Sequence, residues 1–113
     1  MGDVIYINFE EGAKRVMNNT KLYVKLLTKF KNDTNLNDLD AALTANDMEK
    51  AQVAAHTMKG LAANLSLTEL YKQSMELESQ IKAKSVNPEQ TTALKNTFAQ
   101  TLTEIEKVIA QND

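Results

Sequence analysis

The chain has 113 residues, 42% of them hydrophobic and 25% charged, and a formal charge of -2. These values describe one globular domain with a single core, and the slight acidity argues against a general affinity for nucleic acid. The absence of cysteine excludes disulfides and thiolate metal sites and fits a reducing compartment.

No apolar run approaches the roughly 20 residues that span a bilayer. The start, Met1 to Asn8, lacks the basic-then-apolar pattern of a secretory signal. The expected setting is the cytoplasm, as a monomer, with neither membrane nor nucleic acid as partner. Three glycines and one proline leave little material for the turns of a β protein. Ala, Leu, Lys, Glu, Gln and Met fill most of the chain and favour helix. The expected fold is all-α.

Val4-Ile5-Tyr6-Ile7 is short and β-branched, an extended lead-in that packs on the domain. Phe9, Ala13, Val16 and Met17 follow helical spacing, and Asn18-Asn19 ends that short helix. A second helix starts near Thr20, with Leu22, Tyr23, Leu26, Leu27 and Phe30 as its buried face. Asn32-Asp33-Thr34-Asn35 competes for backbone hydrogen bonds. The stripe that resumes at Leu36, Leu39 and Leu43 points elsewhere, so a break is expected near residues 32–35. Asn46, with Glu49 three residues on, resembles a capping box.

Met48, Ala51, Ala55, Met58, Ala62 and Leu65 then alternate at three and four residues, the narrow seam of a helical bundle. Ser66 and Glu69 match a second capping box, ahead of a stripe of Leu67, Leu70, Ser74, Leu77 and Ile81. Asn87-Pro88 supplies a cap and a proline at the first helical position. The last helix carries Leu94, Phe98, Leu102, Ile105 and Ile109 and frays into Gln111-Asn112-Asp113. The short connections predict antiparallel neighbours: an up-down-up-down four-helix bundle with an additional short N-terminal helix. Its core spans about residues 20–110 of a single domain, 1–113.

The only histidine, His56, falls off the seam, roughly 130° from its centre at 100° per residue. It is therefore expected on the outer face. Gln52, Lys59, Gly60 and Ala63 share its surface, with Val53 and Thr57 at the margins. Gly60 lies inside a helix, where it costs up to about 1 kcal/mol against alanine. It removes a Cβ beside the ring, and Ala63 adds only a methyl, which leaves a groove for close approach by another protein. A neutral imidazole can attack phosphorus and become a phosphohistidine. Lys59 is the obvious cation for the phosphoryl oxygens. No aspartate is placed in sequence to orient the ring. A lone exposed histidine is ordinarily only a surface residue; here its neighbours raise the case for chemistry.

His56-Thr57-Met58-Lys59-Gly60, followed by Ala62-Ala63-Asn64-Leu65, resembles the His-x-x-Lys-Gly motif of histidine-containing phosphotransfer (HPt) domains. The helix of residues 19–30 and the approach Leu39-Asp40-Ala41-Ala42-Leu43 are similar to the same family, so the resemblance covers nearly the whole chain. It implies a phosphorelay intermediate of two-component signalling. His56 would accept a phosphoryl group from a receiver-domain phosphoaspartate and donate it to another. Lys59 would stabilise the phosphoryl group, and Gln52, Val53, Gly60 and Ala63 would meet the receiver. Phosphorylation at Nε2 is what the family suggests. The Mg2+ for transfer would sit in the receiver, with no cofactor of the chain's own. Many members have glycine where this chain has Ser66, which is read here as a helix cap.

No Gly-rich phosphate loop or kinase pattern is present, so the resemblance implies a phosphocarrier without ATP-dependent kinase activity of its own. Glu76, Glu78, Lys82 and Lys84 read as a solvated helix face, as do Lys21, Lys25 and Lys29. Met48 and Met58 read as core filler. Two other readings compete: a helical adaptor that binds a receiver without chemistry, favoured if His56 is buried or ion-paired, and a helical subunit of a larger enzyme.

Overall fold

Six helices carry the chain in the computed structural model, which describes residues 4–112. They are α1 (Phe9–Arg15), α2 (Thr20–Phe30), α3 (Asn35–Thr44), α4 (Met48–Asn64), α5 (Thr68–Lys82) and α6 (Pro88–Gln111). No strand occurs among the described residues, as the composition required. Helix α4 packs against both α3 and α5, α5 packs on α6, and α2 closes on α6, with α1 set against α2. The break expected near residues 32–35 separates α2 from α3. Asp33 makes it, accepting hydrogen bonds from the Asn35 backbone N–H at 3.0 Å and from its side-chain amide at 2.8 Å. The terminal Asp113 lies outside the described residues.

The core is built from the expected stripes. Ala51, Ala55, Met58 and Ala62 of α4 are fully buried, as are Leu67, Leu70, Ser74, Leu77 and Ile81 before and along α5. Tyr23, Leu27 and Phe30 of α2 join them. Two residues depart. Met17 is exposed because it has left the helix, with φ at 58°, so helical spacing no longer applies to it. Leu22 is exposed at the edge of the α2 stripe, 100° from Tyr23.

Both capping boxes are displaced, for one reason. Asn46 and Ser66 sit in the left-handed region, with φ of 57° and 56°, and finish the preceding helix instead of starting the next. Asp47 N–H reaches back to the Ala42 carbonyl at 2.8 Å, and Leu67 N–H to that of Ala62 at 2.8 Å. These are the long bonds of a C-terminal Schellman motif. The side chain that caps α4 is Asp47, which accepts from Lys50 N–H at 3.2 Å. Leu67 begins α5 with no side-chain cap bond. The Ser66 hydroxyl instead donates to Glu11 Oε1 at 2.8 Å, tying this turn to α1. The Asn87-Pro88 start of α6 is as expected, with Asn87 Oδ1 accepting from Glu89 N–H.

The lead-in packs across the same turn. Asn8 N–H donates to the Ser66 carbonyl at 2.9 Å, and Glu69 N–H donates to the Ile5 carbonyl at 3.1 Å. Tyr23 ties α2 to the end of α4, its hydroxyl donating to the Leu65 carbonyl at 2.5 Å. Burial, and then the charge of Glu11, push the Tyr23 hydroxyl up to about 12. Gly12 lies against this ring, and a Cβ there would overlap it. Gly12→Ala, which by helix propensity alone should stabilise α1, is therefore expected to destabilise the fold by about 1–3 kcal/mol, the usual cost of overpacking. Urea unfolding of the variant measures it, and an unchanged midpoint would contradict the packing.

Candidate functional site

Helix α4 buries its alanine seam against α3 and α5, which turns the opposite face to solvent. His56 stands on that face with its side chain 67% exposed, as expected. Its Nδ1 lies 3.0 Å from Glu78 Oε2 on α5. An ionised carboxylate can only accept, so this bond places the ring proton on Nδ1 and leaves the lone pair of a neutral imidazole on Nε2. No hydrogen-bond partner of Nε2 occurs among the described residues.

Glu78 was expected on a solvated face, and this is the main correction. Its side chain is only 4% exposed. At 100° per residue it lies roughly 70° from the centre of the α5 stripe, on the flank turned toward α4. There it gathers three partners. Lys59 Nζ is 2.7 Å from Oε1, His56 Nδ1 is 3.0 Å from Oε2, and Lys82 Nζ is 3.6 Å from the same Oε2. Burial, the largest influence, pushes the Glu78 carboxyl up. Hydrogen bonds from Lys59 and His56, and the charges of Lys59 and Lys82, outweigh it and hold the carboxyl below its ordinary range. Glu76, Lys82 and Lys84 are exposed, as read.

The other site residues fall in two groups. Gln52 and Val53 line the shallow hollow around His56, together with Glu78 and Lys82. Gly60 lies one turn further on and is exposed; a Cβ added there would meet nothing within 4 Å. Ala63 is half-buried beyond it, outside the hollow. Lys59 is also outside the hollow: its side chain is 25% exposed and its ammonium rests on Glu78. The sequence placed Glu78 at the edge of the buried stripe without saying which way it faced. It follows Ser74 by four residues and precedes Ile81 by three, the spacing of the buried stripe itself.

The arrangement offers a nucleophilic nitrogen, a carboxylate that fixes the tautomer, and two lysines around it. No helix is long and apolar enough to cross a membrane among the described residues. Because the Glu78 carboxyl is held low, the stability it contributes is present above about pH 4.5, its ordinary value, and is lost as pH falls through its lowered folded value. Glu78→Gln should therefore flatten the acid limb of stability against pH. At neutral pH it should cost on the order of 2 kcal/mol, since Lys59 loses its buried counter-charge. Chemical denaturation between pH 3 and 7, about the range of carboxyl titration, tests both; parallel curves for variant and parent would overturn the assignment.

A family model described as Hpt domain matches residues 26–111, from the second half of α2 to the end of α6. No curated protein and no solved structure gave a significant match. The matched span contains His56, Lys59, Gly60, Glu78 and Lys82, with Gln52, Val53 and Ala63 around them. The chain belongs to the Hpt-domain family, whose work is histidine phosphotransfer in two-component signalling.

Proposed function

We propose that His56 is the phosphoacceptor of a phosphorelay, taking a phosphoryl group from the phosphoaspartate of one receiver domain and passing it to another. The observation that carries this reading is the pairing of Nδ1 with Glu78 beneath an exposed ring. The Nε2 lone pair forms the N–P bond as the acyl O–P bond breaks, and the aspartate carboxylate leaves. Nδ1 keeps its proton, so the ring gains positive charge as the bond forms. Glu78 balances that charge, as a carboxylate behind a catalytic imidazole does elsewhere. The return step reverses every one of these changes.

Lys59 adds positive charge one turn from the ring, acting from its place on Glu78. Gln52, Val53, Gly60 and Ala63 form the surface that meets the receiver. The Mg2+ of the reaction belongs to the receiver's acidic pocket. The chain acts as a monomer, and its packing order supports an antiparallel up-down-up-down bundle. The adaptor reading was to gain if His56 proved ion-paired. His56 does face a carboxylate, but through Nδ1 only. That contact orients the ring and leaves Nε2 open, which favours chemistry over passive docking.

Two measurements test this. An isolated, Mg2+-loaded phosphorylated receiver should label the wild-type chain and not His56→Gln; equal labelling would sink the proposal. Gly60→Ala should be more stable by up to about 1 kcal/mol, because the added Cβ meets nothing within the chain. It should nonetheless accept phosphate about tenfold more slowly, since the receiver is held off the ring. A variant that is both more stable and equally fast would remove Gly60 from the docking surface.

A further inference from the structure

Two lysines stand near His56, and the geometry divides their work. Lys59 is three-quarters buried and its ammonium sits 2.7 Å from Glu78 Oε1. Lys82 is looser: its side chain is 57% exposed and its ammonium is 3.6 Å from Oε2. Only Lys82 of the two lines the hollow in which the imidazole lies. His56 and Lys82 also share one carboxylate oxygen, so they are held on the same side of Glu78.

We propose that Lys82 is the cation that contacts the phosphoryl group once it is on His56, and that Lys59 stays on Glu78. This inference rests on His56 being the phosphoacceptor. The exchange is physically cheap. A contact of 3.6 Å from a lysine that is more than half exposed is a weak one. When Lys82 leaves, Glu78 keeps Lys59 and the His56 N–H, so no buried charge is stranded. Moving Lys59 instead would break the shorter, more buried of the two bonds. The plainer account of Lys82 is a cation in the last turn of α5, paired with Glu78 four residues earlier. That account gives it no reason to respond to phosphate.

The test phosphorylates the purified full chain with phosphoramidate, so no receiver is needed. Nε2 attacks phosphorus, the donor P–N bond breaks, and ammonia leaves. The phosphoryl group is then titrated by 31P NMR in wild type, Lys82→Gln and Lys82→Arg. A cation in contact favours the dianion and lowers its titration midpoint. Losing it in Lys82→Gln should raise the midpoint by roughly half a pH unit, with Lys82→Arg staying near wild type. Glu49 and Glu78, the carboxylates that also line the hollow, are common to all three proteins. If wild type gains phosphohistidine but Lys82→Gln titrates identically, Lys82 has no part and the acceptor reading stands. If folded wild type gains no phosphohistidine, the acceptor reading falls and this inference with it.

Discussion

The site depends on one buried carboxylate. An ionised glutamate withdrawn from water costs several kcal/mol unless its oxygens are satisfied. Glu78 meets that requirement only because α4 brings Lys59 and His56 to it from one direction and α5 supplies Lys82 from its next turn. The seam of α4 allows this. Ala51, Ala55 and Ala62 project little beyond the backbone, so α5 can approach closely enough for a 3.0 Å bond between the helices. Larger side chains at the seam would lift α5 away and leave both the imidazole and the carboxylate without their partner.

Close packing must also hold its register, and the ends of α4 do that. At one end the left-handed Asn46 finishes α3, and Asp47 caps α4. At the other, Ser66 turns the chain with φ at 56° while its carbonyl accepts from Asn8 and its hydroxyl bonds Glu11. Tyr23 adds a hydrogen bond to the Leu65 carbonyl from α2. Three separate elements therefore pin the last turn of the histidine helix. Ser66 occupies the position where glycine is common in the family, and its left-handed backbone explains that preference, since glycine bears such a φ without strain.

Most of this was legible because helical periodicity reports which side chains are apolar. The stripes at Ala51, Ala55, Met58 and Ala62, and at Leu70, Ser74, Leu77 and Ile81, place their helices and by subtraction expose His56. The open surface at Gly60 was legible too, since a helical glycine off the seam has no packing partner of its own. Glu78 was missed because a charged residue beside an apolar stripe looks the same in sequence whether it faces water or a neighbouring helix. Which it faces depends on a partner 22 residues away in the chain. The caps were misplaced because Ser and Asn suit two positions, the start of a helix and the left-handed turn that ends one. Only the back-bonds to Ala42 and Ala62 distinguish them.

The placement of charge, more than its sum, explains why such a site contains two lysines and a carboxylate rather than a lysine alone. At rest, with a neutral imidazole, Glu78 cancels one lysine and a single positive charge remains. That suffices to attract a phosphorylated partner without making the surface strongly basic. A phosphoryl group brings nearly two negative charges, and the ring that bears it gains one positive charge. The four groups together then approach neutrality. A lone lysine without Glu78 would reach the same net charge but would leave the new ring cation with no carboxylate at Nδ1. The proposed reaction moves phosphorus between two chemically similar partners in both directions, so neither state of the carrier should be much favoured. A site whose charge changes by only one unit across the transfer serves that need.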